Sequence, residues 1–239
     1  MKTVKCALFC CIFAALFACN GNVKPLAKPA RPTAESVRRL LGVMHFDEVV
    51  AQLLQNVDVS TRAAMAGVAE KQVVNAEQRR LFDELVEHMI GVLDYEYSWD
   101  HFGPVLITTI QAAYSQQDVG ALLSIFESPA GQEVAAQLGL AAQDLVPGLM
   151  GRLDGIHQER QTMAEVLESR LASLISPSAR DAFAAFANTA VGQDIVARTP
   201  AWHAQYEEQL VLLKADGVQR MQAIRDQYKE RIKAASGVQ

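Results

Sequence analysis

The sequence predicts an all-α protein: two tandem helical repeats with long antiparallel-packed helices, preceded by an N-terminal helical segment. Three observations predict it. From Thr33 onward apolar residues recur every three or four positions and not every two. Helix-start residues stand before several of these runs. No Asn-Gly or Asp-Gly turn lies between alternating runs, as a hairpin would need.

The elements follow in order. Val37, Leu40, Leu41 and Met44 form a short helix behind a Pro32-Thr33 start, and Val49, Val50, Leu53, Leu54 and Val57 form a second. Asn75 with Gln78 three residues on resembles a capping box, opening the amphipathic run from Leu81 to Leu93. Ser98 is placed to cap the next helix, with Pro104 near its start and Val105, Leu106, Ile110 and Tyr114 following. Val105–Ile110 is the nearest approach to a strand, and its flanks argue against one.

An internal repeat with an offset of 61 residues then emerges. Ser115 aligns with Ser176, Leu122 with Phe183, Ile125 with Phe186, and Ser128–Val134 with Thr189–Ile195. Further on, Leu145, Leu149, Met163 and Leu171 fall on Tyr206, Leu210, Ile224 and Ile232. Each copy is expected to hold a short helix, a kinked second helix and a long third one with seam-like spacing. The shared Gly131-Gln132 and Gly192-Gln193 are its best markers. In Ser128-Pro129-Ala130-Gly131-Gln132 a serine caps a helix, proline takes the first position, where it forfeits no hydrogen bond, and glycine permits close packing. The motif therefore reads as architecture more than as a ligand site.

All four cysteines, Cys6, Cys10, Cys11 and Cys19, fall in the first 19 residues. Lys2 and Lys5 precede an apolar run that ends at Ala18 and is too short for a comfortable membrane span of about 20 residues. Residues 1–18 read as a signal peptide. Leu16-Phe17-Ala18-Cys19 resembles a bacterial lipobox, which implies cleavage before Cys19 and lipidation there. Asn20 in place of aspartate then implies the periplasmic face of the outer membrane. The alternative is a soluble periplasmic protein. Residues 19–32, with Pro25, Pro29, Pro32, Lys24, Lys28 and Arg31, read as an extended tether. Residues 33–97 form the N-terminal segment, 98–175 the first repeat and 176–239 the second.

Hydrophobic residues make up 50% of the chain and charged residues 21%, which excludes a wholly disordered chain and a multi-span membrane protein. Without Lys2 and Lys5, 20 basic residues face 27 acidic ones, a balance unfavourable to nucleic-acid binding. No disulfide framework is available after the leader.

Two stretches are similar to those of a known family. Ala34-Glu35-Ser36-Val37-Arg38-Arg39-Leu40-Leu41 resembles its N-terminal signature. Ile125-Phe126-Glu127-Ser128-Pro129-Ala130-Gly131-Gln132, preceded by Trp99 and Tyr114, resembles its central one. The family is domain-of-unknown-function family 2059, exported helical proteins of Gram-negative bacteria. Ile125 replaces one member of its usual aromatic pair, and the second copy lacks the proline. The resemblance implies a fold and a compartment, and carries over no catalytic residues.

Chemistry is sparse. His45, His88, His101, His157 and His203 form no His-Glu-x-x-His, and no nucleophile elbow, Walker loop or dinucleotide fingerprint occurs. The sequence assigns no catalytic residue, cofactor or metal site. The densest unusual stretch is Asp94-Tyr95-Glu96-Tyr97-Ser98-Trp99-Asp100-His101-Phe102. Tyr95, Tyr97 and Trp99 make it a candidate surface for a protein partner, with Asp94, Glu96 and Asp100 steering. The simpler reading puts Trp99 and Phe102 in the core and the acids in solvent. The favoured function is a non-enzymatic envelope protein that binds another protein: a partner, a client or an incoming toxin. The alternative is a helical hydrolase or metal-dependent enzyme assembled from distant acids and His45, His88 or His101.

Overall fold

The computed structural model describes residues 30–73, 75–96, 98–143 and 169–236, and among them every regular element is a helix. The fold is all-α. Eight helices are bounded: α1 (Ala34–Val43), α2 (Phe46–Gln72), α3 (Ala76–Glu96), α4 (Trp99–Ala113), α5 (Gln116–Phe126), α6 (Pro129–Gln143), α7 (Pro177–Ala187) and α8 (Ala190–Ala235). A further helical stretch covers 169–174.

The starts obey local chemistry. Thr33 accepts a hydrogen bond from the Ser36 amide at 3.1 Å and opens α1. Ser115 and Asp118 close a complete capping box on α5, the serine accepting at 3.0 Å and the aspartate accepting the Ser115 N–H at 2.8 Å. Asn75 accepts the Gln78 amide at 2.8 Å, as a cap should. The Gln78 side chain departs from the expected box: it donates to Ser236 Oγ at 2.6 Å and toward the Ile232 carbonyl at 3.4 Å. Ser98 occupies the cap position of α4, yet its hydroxyl donates backwards to the Tyr95 carbonyl at 2.9 Å.

Packing separates a head from an arm. The head core gathers Leu41, Phe46, Leu106, Phe126, Phe183 and Trp202, all at or below 2% exposed, from α1, the start of α2, α4, α5, α7 and α8. The arm is a three-helix extension: α3 lies between the rest of α2 and the far part of α8. Three small apolar clusters hold it, centred on Val57 with Leu93, on Phe82 with Ile90, and on Leu85 with Tyr228. Residues 33–97 and the second repeat segment contribute to both bodies, whereas the described residues of the first repeat enter the head core alone, so packing cuts across the division along the chain.

Several element limits differ from expectation. The second helix runs on to Gln72, well past Val57, because Thr61, Met65 and Ala69 continue its inner face. The third helix of the first repeat, expected from Leu145 to Leu171, falls mostly on 144–168, outside the described residues. In the second repeat the kinked and long helices are one: α8 runs 46 residues with Pro200 inside it. The bounds of α5 and α7 are nevertheless 61 residues apart at both ends, as are the starts of α6 and α8.

Candidate functional site

The junction of head and arm is built by the 94–102 stretch. α3 ends at Glu96 and α4 begins at Trp99, and both run antiparallel to α8, α3 from Ala235 to Arg220 and α4 from Tyr206 to Thr199. Glu96 turns inward and is only 5% exposed, an expensive place for a carboxylate unless it is paired. Arg220 of α8 pairs with its Oε1. Gly217, one turn earlier on α8, makes the room: a Cβ there would lie 2.8 Å from Glu96 Cγ and Cδ. Any larger residue at that point would have to push the Glu96 side chain aside.

Tyr95 lies over the same pair from outside. The Arg220 guanidinium sits 5.0 Å from its ring centroid, and the His101 ring packs on it at 4.8 Å. Tyr95 itself is 53% exposed. His101 Nδ1 and Glu96 Oε2 face each other at 3.8 Å, a charge-contact distance and too long for a hydrogen bond; both atoms are buried without one. Asp94 and Asp100 are exposed around this group.

The sequence-predicted surface is therefore brought together only in part. Tyr95 is on it. Trp99 is half-buried, packing on the head core with its ring 6.1 Å from Phe46. Tyr97 lies outside the described residues, as does Cys19. Glu96 was expected among the steering acids, but it is buried and neutralised by Arg220, so it projects no free charge toward a partner. Sequence reasoning gave neither Arg220 nor Gly217 a role at this junction, placing Gly217 only as the repeat counterpart of Ile156. Neither carries a local signal, since the pairing spans 124 residues.

The repeated glycine motif is structural in its geometry. Ser128 Oγ accepts the Gly131 amide at 3.2 Å and donates to the Ile125 carbonyl at 2.6 Å. Sixty-one residues on, Thr189 Oγ1 accepts the Gly192 amide at 3.1 Å and donates to the Phe186 carbonyl at 2.6 Å. In both places the glycine lies against the last turn of the preceding helix. A Cβ on Gly131 would collide with the Ile125 carbonyl oxygen and lie 2.7 Å from the Phe126 carbonyl carbon; one on Gly192 would lie 2.9 Å from Ala187 Cα. Pro129 is the first residue of α6. Gln132 reaches back to donate to the Phe126 carbonyl at 2.9 Å, whereas Gln193 is exposed.

The three histidines of the enzyme alternative are distributed over three places. His45 caps α2 in the head, at φ 51°, with Nδ1 3.3 Å from Glu48. His88 is on the arm, its Nδ1 2.8 Å from the Tyr228 hydroxyl. His101 is at the junction. Among the described residues no group of three or more His, Cys, Asp or Glu is placed to hold a metal ion.

A shallow depression runs along α3, lined by Arg79, Arg80, Asp83, Glu84, Glu87 and His88. Its charges are mutually satisfied. Arg62 pairs with Asp58 at 2.6 Å and holds Glu87 with both terminal nitrogens, while Arg80 spans Glu77 and Glu84. The Arg80 and Arg62 hydrogen bonds hold the carboxyls of Glu77 and Glu87 below the usual carboxylate range. This stripe works as scaffolding for the arm.

No helix among the described residues is long and apolar enough to cross a membrane. Comparison with family models, with curated proteins and with solved structures yields no match to this chain.

Proposed function

We propose that the protein is a non-enzymatic cell-envelope protein that binds another protein through the junction surface centred on Tyr95. In this reading residues 1–18 direct export, Cys19 carries a lipid, and the domain faces the periplasm from the outer membrane. The leader pattern and the lipobox-like Leu16–Cys19 support that compartment, as does the motif resemblance to family 2059.

One observation carries the binding reading. Tyr95 is an exposed aromatic ring packed by both Arg220 and His101, beside a buried and compensated carboxylate. A large side chain fixed before contact forfeits little entropy when a partner covers it, and tyrosines so placed are typical binding hot spots. Asp94 and Asp100 give the surround a negative charge that favours a basic partner.

The test uses the mature protein and a purified partner identified by crosslinking from Tyr95. Tyr95→Ala should weaken binding by about 2 kcal/mol or more, roughly thirtyfold. His45→Ala and His88→Ala, remote from the junction, should leave binding unchanged. Unaltered affinity in folded Tyr95→Ala removes the surface assignment. Loss of the biological effect in folded His45→Ala or His88→Ala, with binding retained, would instead favour the hydrolase or metal-dependent alternative.

A further inference from the structure

The chain enters the head at a fixed place. The Ala30 carbonyl accepts the Gln116 amide at 2.8 Å, the Pro32 carbonyl accepts from Gln111 Nε2 at 2.8 Å, and the Thr33 amide donates to Gln116 Oε1 at 3.0 Å. Residues 30–33 are thereby fastened to the corner between α4 and α5. The same corner touches α8 where the Tyr114 and Thr199 hydroxyls share a hydrogen bond of 3.2 Å and Arg198 lies 3.5 Å from Asp118. The tip of the arm is at the other end of α8, where Asn75 donates to the Ala235 carbonyl at 3.1 Å. From Thr199 to Ala235 the helix is unbroken, about 54 Å at 1.5 Å per residue. Entry point and arm tip are opposite poles.

The segment that leads to the entry pole is the basic one. Residues 19–32 hold Lys24, Lys28 and Arg31 and no acid, while residues 33–239 hold 17 basic against all 27 acidic residues. An anionic bilayer attracts this basic segment and so draws the entry pole, to which it is fastened, toward the surface.

We infer that the protein stands on an anionic membrane surface by its entry pole, with the arm directed away from the bilayer and the Tyr95 surface about 30 Å beyond that pole along α8. The inference rests on the lipid anchor at Cys19 proposed above. From Cys19 to Ala30 the chain can span at most about 40 Å, which keeps the entry pole within that distance of the headgroups, while the arm tip lies about 54 Å further along α8. The partner that covers Tyr95 is then one approaching from the aqueous side.

The mature chain has no thiol besides Cys19, so a single introduced cysteine takes a fluorophore cleanly. The full-length lipidated protein, carrying Gln117→Cys at the entry pole or Lys71→Cys near the arm tip, is placed on phosphatidylglycerol-containing vesicles with an acceptor in the headgroups. Glu35→Cys and Lys233→Cys are second exposed positions at the two poles. Energy transfer from the entry-pole sites should exceed that from the arm-tip sites severalfold. Equal transfer, or more from the arm tip, in a protein that floats with the vesicles overturns the orientation alone. If the parent takes up no fatty-acid label and does not float, or if Cys19→Ala is labelled just as well, the anchor reading fails and the orientation fails with it.

Discussion

Gly131 and Gly192 have a role that only a hydrogen side chain can fill, because the obstacle facing each is backbone and cannot rotate aside. Gly131→Ala should lower stability by about 1–3 kcal/mol, and Gly131→Val by more, in denaturant unfolding of the mature domain. Gly192→Ala should cost somewhat less, since the contacts of a Cβ there are slightly longer with Ala187 Cα than with Phe126 Cα at Gly131. A chain indifferent to alanine at both sites would mean that the helix crossings are looser than they stand here. The hydroxyl–x–x–glycine spacing that marks these positions was legible in the sequence, because a cap and the glycine it contacts lie within one turn. Glu96 was not legible: nothing near it announces that Arg220 and Gly217 come to meet it, and an acid among acids reads as solvated. Trp99 and Tyr95 differ for the same reason. Their exposure is set by Phe46 and Arg220, which neighbouring residues do not specify.

Among elements, α3 and the short head helices were the easiest to foresee and the second half of α2 the hardest. α1, α5 and α7 are short, capped by Thr33, Ser115 and Ser176, and carry dense apolar faces. The second half of α2 is alanine-rich, so its periodicity fades although the helix continues to Gln72. Polar links compensate for the arm's small apolar clusters. Glu77 and Glu87 are bound by Arg80 and Arg62, and their carboxyls sit below the ordinary value of 4.5. A carboxyl that releases its proton more readily when folded stabilises the fold above its unfolded pKa, and that contribution is lost as pH falls through the folded value. The arm should accordingly loosen in acid, below about pH 4.5, while the head stays formed. Tryptophan fluorescence reports the head through buried Trp202, and limited proteolysis between α2 and α3 reports the arm. Simultaneous loss of both signals would show that these pairs do not set the arm's acid limit. Because they are exposed, strong salt should weaken them at neutral pH as well.

At the scale of the whole molecule, the head buries one continuous core while the arm depends on three separate small ones. Local opening follows the amount of apolar surface buried. Amide exchange at neutral pH should therefore be fastest at the arm tip, around Gln72–Gln78 and Ile232–Ala235, and slowest around Leu106, Phe126 and Phe183. Uniform protection along α8 would contradict a head and arm of unequal stability. The all-α class was legible because period and caps are local properties. The partition into head and arm was not, since it depends on which distant helix each face meets.

The 46-residue length of α8 also dictates an order of assembly. Trp202 and Tyr206, which close the head core, and Tyr228, which closes an arm cluster, are all delivered by the helix that follows every other described element in the chain. A growing polypeptide can form α1 to α7 and pack several of them on one another, as Phe126 packs on Phe183, but the last faces of both bodies stay open until α8 arrives. The head is completed first, by Trp202 and Tyr206, and the arm only after Tyr228 has followed them. A chain of this design gains its final packing late in synthesis, from the head outward, as one helix is laid along both bodies.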